Sequence, residues 1–273
     1  MRDMLVVKCG GNAAVRSDAI CADVAAIHRG DRPVILVHGG SADIDGLAER
    51  LGVPSRRLVA PNGVSSRYTD DRTLEVVQMA LVGSVKPRLL AALRACGANA
   101  VGLTGLDAGL LVAARKPAHR AVIDGRRLVV RDDHTGRIVQ VNGDLLSTLL
   151  AAGLLPVVSP PALAQDGRVL NTDADRAAAA VAGAVRASTL VLLTGAGGVL
   201  ADQYDERSVL PVCRVPRRGA PPVVTGGMAV KLIAAREALL AGVDRVLIAD
   251  GRRPHPVQEA LAGSCTEVLL EEE

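Results

Sequence analysis

The sequence of 273 residues contains no phenylalanine, no tryptophan and only two tyrosines. Any buried core must therefore be aliphatic, which is typical of a parallel sheet covered by helices rich in alanine and leucine. Proteins that hold single-stranded nucleic acid stack its bases on aromatic side chains, so this composition argues against that class. The formal net charge of +3 is too small to indicate binding to nucleic acid by itself. We therefore expect no nucleic-acid partner.

Paired cysteines and long apolar runs are also missing. The five cysteines include no Cys-x-x-Cys pair, so the pattern predicts neither a metal cluster nor a disulfide framework and favours a reducing compartment. There is no signal-peptide pattern, because the apolar run before Lys8 is only four residues long, and no uninterrupted apolar stretch approaches the length of a membrane span. These absences predict a soluble, cytoplasmic protein with no membrane partner and no protein-bound metal.

The sequence has instead a regular alternation of short apolar runs and helix-like segments. The apolar runs predict strands at residues 5–8, 33–37, 100–103, 155–158, 189–193 and 245–249. Helical spacing predicts helices at residues 17–29, 44–51, 72–82, 173–186 and 228–241. The alternation predicts an α/β fold with a doubly wound, mostly parallel sheet sandwiched by helices, whose ligands lie beyond the carboxyl ends of the strands.

Residues 110–141 interrupt this alternation with three short strand-like runs. The last two runs flank Asp124-Gly125, and an Asp-Gly pair in that position is a strong hairpin signal. We therefore predict an inserted β-hairpin. The interval is strongly basic, since Asp124 is the only acidic residue between its first basic residue and Asp132. The basic residues are Arg115, Lys116, Arg120, Arg126, Arg127 and Arg131.

Glycine-rich or polar turns stand where a doubly wound sheet places its site. The segments are KCGG (8–11), HGGS (38–41), NTDAD (171–175) and TGAGG (194–198). Paired glycines after a strand let the backbone approach a ligand, and the amides that follow can bind an anion. Lys8 ends one such strand, and Lys231 lies shortly after Gly226-Gly227. Each lysine alone would normally reach solvent, but two lysines near such turns suit phosphoryl transfer, which needs positive charge along the transferring group.

Polar side chains elsewhere could hold a substrate. Asn171, Asp173 and Asp175 precede an alanine-rich helix, and capping that helix would use only one of them. Arg67 lies in a polar loop before another helix and could clamp a carboxylate by two parallel hydrogen bonds, although most loop arginines are solvated.

Six segments in a fixed order resemble those of the amino acid kinase family, specifically its N-acetylglutamate kinase branch. They are VVKCGG, VHGGS, SRYTDDRTLEVVQMALVG, VGLTGLD, LNTDADRAAAAVA and VTGGMAVK. The similarity covers nearly the whole chain. It implies a single domain over residues 1–273, with the amino-acid and carrier side in residues 1–170 and the ATP side in residues 171–273. It also implies a homodimer.

The same resemblance implies a role for each matching residue. Lys8 and Lys231 would stabilise charge on the transferring phosphoryl group, and Asp175 would orient both lysines. Gly39 and Gly40, with Ser41, would contact the carboxylate being phosphorylated, while Arg67 would grip the α-carboxylate and Asn171 the main-chain end of the substrate. Mg²⁺ would bridge the phosphates of ATP. The residues expected to contact ATP are Gly10, Gly11, Thr194, Gly195, Gly197, Gly227 and Met228.

Within that branch, the sequence is more similar to the carrier-linked, LysW-type kinases. These phosphorylate the side-chain carboxylate of 2-aminoadipate or glutamate whose amino group is joined to a small acidic carrier protein. The segments AARKPAHRAVIDGRRLVVRDDHTGRIVQVN, HGGSAD and ADGRRPHPVQEAL carry this similarity. The six basic residues would then dock the acidic carrier by salt-dependent steering. The alternative is a solvated hairpin that uses basic residues to protect an edge strand; we favour docking, because the cluster falls where the sheet pattern is interrupted.

One position departs from the family pattern. Gly195 stands where N-acetylglutamate kinases usually carry an aspartate that helps to orient the lysines, so Asp175 would have that task alone.

Two other functions remain open. The substrate of a free N-acetylglutamate kinase carries only a small, neutral acetyl group. Such a group gives no reason for six basic residues. A non-catalytic regulator that binds amino acid or nucleotide would explain Gly195, but the retained Lys8, Lys231 and Asp175 argue against it.

Overall fold

The computed structural model describes residues 3–59, 65–115, 118–123, 126–219, 221 and 226–272. The strands are β1 (Leu5–Cys9), β2 (Val34–His38), β3 (Arg57–Val59), β4 (Ser65–Arg67), β5 (Ala100–Thr104), β6 (Leu111–Arg115), β7 (His119–Ile123), β8 (Arg126–Val130), β9 (Gly136–Val141), β10 (Leu155–Ser159), β11 (Ala162–Ala164), β12 (Val169–Leu170), β13 (Thr189–Thr194), β14 (Val212–Val215), β15 (Arg245–Asp250) and β16 (Thr266–Leu270). The helices are α1 (Ser17–Arg29), α2 (Ser41–Arg50), α3 (Asp71–Gln78), α4 (Lys86–Ala95), α5 (Gly143–Ala151), α6 (Ala174–Ala184), α7 (Gly227–Leu240) and α8 (Pro256–Leu261).

Eight of these strands form one sheet in the order β14-β16-β15-β13-β1-β2-β10-β5. Every neighbouring pair is parallel except β15 and β16. The strands β1, β2 and β10 are buried along their whole length, as expected for continuous aliphatic runs in a parallel sheet. The six strands predicted from the sequence all lie in this sheet, and the predicted doubly wound fold is confirmed.

Helices cover both faces of the sheet. On one face α5, α6 and α7 pack with strand residues such as Val6 and Leu190. On the other face α1, α2 and α8 pack with strand residues such as Leu5 and Val191. Neighbouring residues of a strand point to opposite faces, which is why Leu5 and Val6 belong to different layers. The core is aliphatic in both layers.

The interval 110–141 contributes to two smaller sheets. Its inner strands β7 and β8 are antiparallel, with Ile123 opposite Arg126, so the predicted hairpin is present, while Asp124-Gly125 itself lies outside the described residues. The hairpin extends β3 and β4 in the order β4-β3-β7-β8. The outer strands β6 and β9 belong elsewhere, in a sheet of order β12-β11-β6-β9. The interval therefore contains more than a hairpin.

The helix predicted at residues 72–82 extends much further. α3 continues through a π-helical segment, Met79–Val85, into α4, which gives one helix over residues 71–95. Pro87 lies in the first turn of α4. Proline lacks an amide hydrogen and crowds the preceding turn, and the wider π turn directly before it relieves both problems.

This long helix also meets a simple test for membrane spans. By length and composition it is the single helix of the described residues that could cross a membrane, but core helices of soluble proteins pass the same test. Its Val77, Leu81 and Leu89 are buried against the sheet, as in a core helix.

Candidate active site

The carboxyl ends of β13, β1 and β2 lie side by side in the sheet, and each is followed by a glycine-rich turn. Backbone hydrogen bonds join the turns after β1 and β2. The amide of Gly39 donates to the carbonyl of Cys9 over 3.1 Å, and that of Ala42 donates to the carbonyl of Gly11 over 2.9 Å. The hydroxyl of Ser41 donates to the same carbonyl of Gly11 over 2.8 Å. The KCGG and HGGS segments therefore form one structural unit.

Gly11 is packed so closely against the second turn that a side chain would not fit. A Cβ built on Gly11 would lie 2.3 Å from the amide nitrogen of Gly40 and 2.4 Å from that of Ser41. Both nitrogens belong to the backbone where α2 begins, so neither can move without moving the helix. The crossing of the two turns requires glycine at position 11.

We expect Gly11→Ala to lower the free energy of unfolding by about 1–3 kcal/mol, because the added methyl group forces the two turns apart. Urea unfolding followed by circular dichroism would measure the loss. Gly46→Ala is the matched control, since Gly46 lies within α2 and a Cβ built there meets nothing within 4 Å. That control should gain about 0.5–1 kcal/mol from the better helix propensity of alanine. Equal losses in the two variants would contradict the steric explanation.

Two buried lysines share one carboxylate beside these turns. Lys8 lies near the end of β1, Asp175 lies in the first turn of α6, and Lys231 lies in α7. The Nζ atom of Lys8 is 2.8 Å from Oδ1 of Asp175, and Nζ of Lys231 donates to Oδ2 over 2.8 Å. Only 5%, 7% and 11% of the side chains of Lys8, Asp175 and Lys231 are exposed. We call these three residues the lysine–aspartate cluster.

The cluster is held together by charge in a buried environment. Burial opposes ionisation of Asp175, but Lys231 and Lys8 outweigh it and lower its pKa to about 2. Burial also opposes the charged form of Lys8, yet Asp175 raises the pKa of Lys8 above its ordinary value. For Lys231 the effect of burial prevails over the attraction of Asp175, and its pKa falls below the ordinary value. Asp175 is thus ionised at neutral pH and serves as the common counter-ion.

Asp173 and Asp175 have different roles, although they are close in sequence. The carboxylate of Asp173 caps α6 by accepting a hydrogen bond from the amide of Arg176 over 3.0 Å. Burial and the neighbouring charge of Asp175 raise the pKa of Asp173. Because Asp173 meets the capping requirement, Asp175 is available to the lysines.

The predicted substrate ligands Arg67 and Asn171 are each held by polar neighbours. Nη1 of Arg67 donates to Asp45 over 2.7 Å and to Ser55 over 2.9 Å. Nδ2 of Asn171 donates to the hydroxyl of Thr69 over 3.1 Å. A guanidinium has five N–H donors, so Arg67 can bind a carboxylate while Asp45 orients it. Neither Asp45 nor Thr69 was predicted as a site residue from the sequence, because neither belongs to a glycine-rich turn.

The turn after β13 lies close to the turn after β1. A Cβ built on Gly195 would be 3.4 Å from Nδ2 of Asn12. Oδ1 of Asn12 accepts a hydrogen bond from the amide of Ala14 over 2.9 Å, which leaves the amide group turned toward Gly195. Asn12 was not among the predicted residues. The side chain of Asn12 therefore lies next to the space that a side chain at position 195 would occupy.

The start of α7 forms the other part of the predicted ATP side. Gly226 precedes the helix with φ of 69°, a backbone conformation that favours glycine. Gly227 begins α7, and Met228 is half-buried against the aliphatic core. Residues 222–225, which include the first part of the VTGGMAVK segment, lie outside the described residues.

The basic residues of the interval 110–141 do not all face solvent. Arg115 donates to the backbone carbonyls of Asp133 over 2.8 Å and Arg131 over 2.6 Å, so its guanidinium holds the chain between β8 and β9. Arg131 is exposed. Lys116 and the side chains of Arg120, Arg126 and Arg127 lie outside the described residues. Arg115 was predicted to dock the carrier from the surface. Its contacts with the backbone are structural and were not predicted.

Chemically, this edge of the sheet can bind a highly charged anion and stabilise more negative charge on it. Buried cations and backbone amides next to a glycine crossing are what phosphoryl transfer requires. Fold and site together define a phosphotransferase of the α/β class.

Comparison with known proteins agrees with that class. A model of the amino acid kinase family matches residues 3–250. A LysW-aminoadipate kinase of Thermus thermophilus is 42% identical over 97% of this chain and 100% of the relative. An acetylglutamate kinase of Methanopyrus kandleri is 41% identical over 90% of this chain and 94% of the relative. The solved structure of carbamate kinase from Giardia matches the fold with a TM-score of 0.65 at 16% identity, covering 98% of this chain and 99% of that one. The chain belongs to the amino acid kinase family, and the resemblance found in the sequence is confirmed.

Proposed function

We propose that this protein uses ATP to phosphorylate the side-chain carboxylate of 2-aminoadipate or glutamate, joined through its amino group to a small acidic carrier protein. The product is an acyl phosphate. The observation that carries the proposal is the lysine–aspartate cluster at the carboxyl edge of the sheet. Relatives named LysW-aminoadipate kinase, 42% and 40% identical over 97% of this chain, support the carrier-linked substrate.

The lysine–aspartate cluster stabilises the transfer step. A carboxylate oxygen of the substrate attacks the γ-phosphorus in line, and the bond from that phosphorus to the β–γ bridging oxygen breaks, so ADP leaves with the electron pair. The ammonium groups of Lys8 and Lys231 neutralise charge that develops on the phosphoryl oxygens. No general base is needed, because a carboxylate is already ionised at neutral pH.

The surrounding residues bind and orient the two substrates. Gly39 and Gly40, with Ser41 fastening the turn, hold the attacking carboxylate. Arg67 binds the α-carboxylate, and Asn171 binds the amide that joins the amino acid to its carrier. The residues proposed to contact ATP are Gly10, Gly11, Thr194, Gly195, Gly197, Gly227 and Met228. Residues 171–273 would then form the ATP side of the domain and residues 1–170 the side of the amino acid and its carrier.

Mg²⁺ fits this site as a companion of the nucleotide. In the described part of the chain, no group of three or more His, Cys, Asp or Glu side chains is placed to hold a metal ion, and Asp175 already faces two ammonium groups. Mg²⁺ commonly keeps several waters and binds substrate phosphates, where it would supply further positive charge. We further propose that the enzyme is a cytoplasmic homodimer.

A free N-acetylglutamate kinase is the second candidate. Relatives named acetylglutamate kinase support it, with 41% identity in one case and 37% in another. The basic residues of the interval 110–141 favour the carrier-linked substrate, since a neutral acetyl group would give them nothing to bind.

A hydroxamate assay tests the proposed function. The protein is incubated with Mg-ATP and hydroxylamine, together with free N-acetylglutamate or with an acidic carrier protein whose terminal residue bears aminoadipate or glutamate. We expect hydroxamate only with the carrier. Comparable turnover of N-acetylglutamate would replace the proposal by the second candidate, and no turnover of either would favour a non-catalytic regulator.

Reversing charge on the hairpin should weaken use of the carrier. We expect Arg131→Glu to raise KM for the carrier and the double variant Arg126→Glu/Arg127→Glu to raise it further, because an acidic partner is steered by such charges. The effect should shrink at high salt. Arg207→Glu is the control, since its side chain is 92% exposed on another loop. Equal KM values for R131E and R207E would contradict docking at the hairpin.

A further inference from the structure

A buried histidine lies directly beneath the glycine turn after β2. His38 ends β2 and is fully buried, as is Ser159 at the end of β10. Nε2 of His38 lies 2.7 Å from the hydroxyl oxygen of Ser159, and Nδ1 lies 3.1 Å from the backbone carbonyl oxygen of Gly39. Neither His38 nor Ser159 has a role in the transfer step described above.

The partners of the ring determine where its proton lies. The carbonyl oxygen of Gly39 can only accept, so Nδ1 of His38 must carry the hydrogen. Burial lowers the pKa of His38 to about 4, so the ring is neutral at physiological pH and Nε2 has no hydrogen. Nε2 therefore accepts from the hydroxyl of Ser159. The two contacts select a single tautomer of the ring.

This hydrogen bond fixes the peptide group between the two glycines. In a trans peptide the carbonyl and the following N–H point in opposite directions. Because the carbonyl of Gly39 is turned to His38, the N–H of Gly40 is turned away from the ring. The amide of Gly39 is fixed as well, by its bond to Cys9. Within the described residues the N–H of Gly40 has no protein acceptor.

We propose that His38 is a positioning residue which, with Ser159 as its hydroxyl partner, orients the Gly39–Gly40 peptide so that the N–H of Gly40 donates to the carboxylate being phosphorylated. This inference rests on the proposed function. Glycine gives a turn no conformational preference of its own, and a donor contributes most to catalysis when it is already oriented before the reaction. A hydrogen bond from a rigid, buried ring supplies that orientation.

Nitrogen-15 NMR of the free protein tests the geometry without any substrate. The Nδ1–H tautomer is expected for His38 at neutral pH in the wild type. Detection of the Nε2–H tautomer, or of a charged ring, would overturn the inference while leaving the proposed function untouched. If the wild type phosphorylates none of the offered substrates, the proposed function fails whatever the tautomer.

Kinetics of three variants test the consequence. His38→Leu removes both contacts and should lower kcat roughly tenfold to a hundredfold, a fraction of the loss when such a donor is deleted outright, with KM for ATP unchanged. His38→Asn can still donate to the carbonyl of Gly39 and should recover most of kcat. Ser159→Ala removes the hydroxyl that selects the tautomer, and its kcat should lie between those of H38L and H38N. Thermal unfolding is measured for all three, because a purely structural role predicts that kcat follows stability. Equal kcat values for H38L and H38N would overturn the inference.

Discussion

Lys231→Met is expected to lower kcat by about three orders of magnitude while the protein remains folded. Removing one preorganised donor from the charge that develops in a transition state costs about 10²–10³ in rate, and a positive charge on a transferring phosphoryl group is worth about 10³ or more. Methionine keeps the length and the apolar stem of lysine and removes only the charge. Lys8→Met should cause a similar loss, since both ammonium groups contact Asp175 at 2.8 Å.

The double variant distinguishes a cluster from two independent contacts. If the lysines act as a unit, Lys8→Met/Lys231→Met should be little slower than either single variant, because residues that act together are strongly non-additive. Lys86→Met serves as the control. Lys86 packs beside Gly102 in β5, three strands away from β1 in the main sheet, and its replacement should lower kcat far less than either of the other single replacements. Steady-state kinetics with saturating ATP and substrate provides the measurement, and wild-type kcat in either single variant would refute the role given to the cluster.

Asp175→Ala is expected to reduce the free energy of unfolding by about 3–5 kcal/mol, because it leaves two buried ammonium groups without their counter-ion. Urea unfolding at pH 7 would measure the loss. Asp166→Ala is the control: its carboxylate pairs with Arg168 at an exposed site, where an ion pair contributes about 1 kcal/mol or less. Similar losses in the two variants would contradict the buried cluster.

The contribution of Asp175 should also disappear in acid. Its pKa in the folded protein, about 2, is lower than the ordinary value of 3.8. The unfolded chain therefore takes up this proton first, so the stabilisation is fully present above about pH 4 and is lost as the pH falls toward 2. The difference in unfolding free energy between the wild type and Asp175→Asn should narrow over that range. A difference that stays constant from pH 6 to pH 3 would exclude an ionised Asp175 as its source.

Much of the fold could be predicted, because the strands of the main sheet are short aliphatic runs in both the sequence and the structure. The long helix could not be delimited. Gly83 and Pro87 are ordinarily signs of a helix end, and only packing against the sheet carries the chain through the π-helical turn between α3 and α4. Likewise, β6 and β9 have the same strand-like pattern as β7 and β8, and the sequence contains nothing local that assigns them to different sheets.

The parts of the candidate site that lie in glycine-rich turns could be predicted from the sequence. The parts that depend on the contacts of a single side chain were harder to predict. Lys8 and Lys231 were identified by their positions near such turns, and the family resemblance brought them together. The sequence alone could not decide which of Asp173 and Asp175 caps α6, since capping geometry depends on where the helix begins. His38 escaped notice because a histidine at a strand end is a common core residue, and its contact with Ser159 joins strands that are distant in the chain.

The place of β1 in the sheet has a consequence for the newly made protein. One edge of β1 pairs with β2, which follows soon after it, whereas the other pairs with β13, beginning at Thr189. At roughly 5–20 residues per second, the ribosome needs about 10–40 s to make the intervening chain. Throughout that time the sequence LVVKC would have an open, apolar strand edge, which is a template for aggregation. Chains that stop before β13 should therefore depend on chaperones to stay dispersed, and nascent protein should resist aggregation only once β13 has emerged.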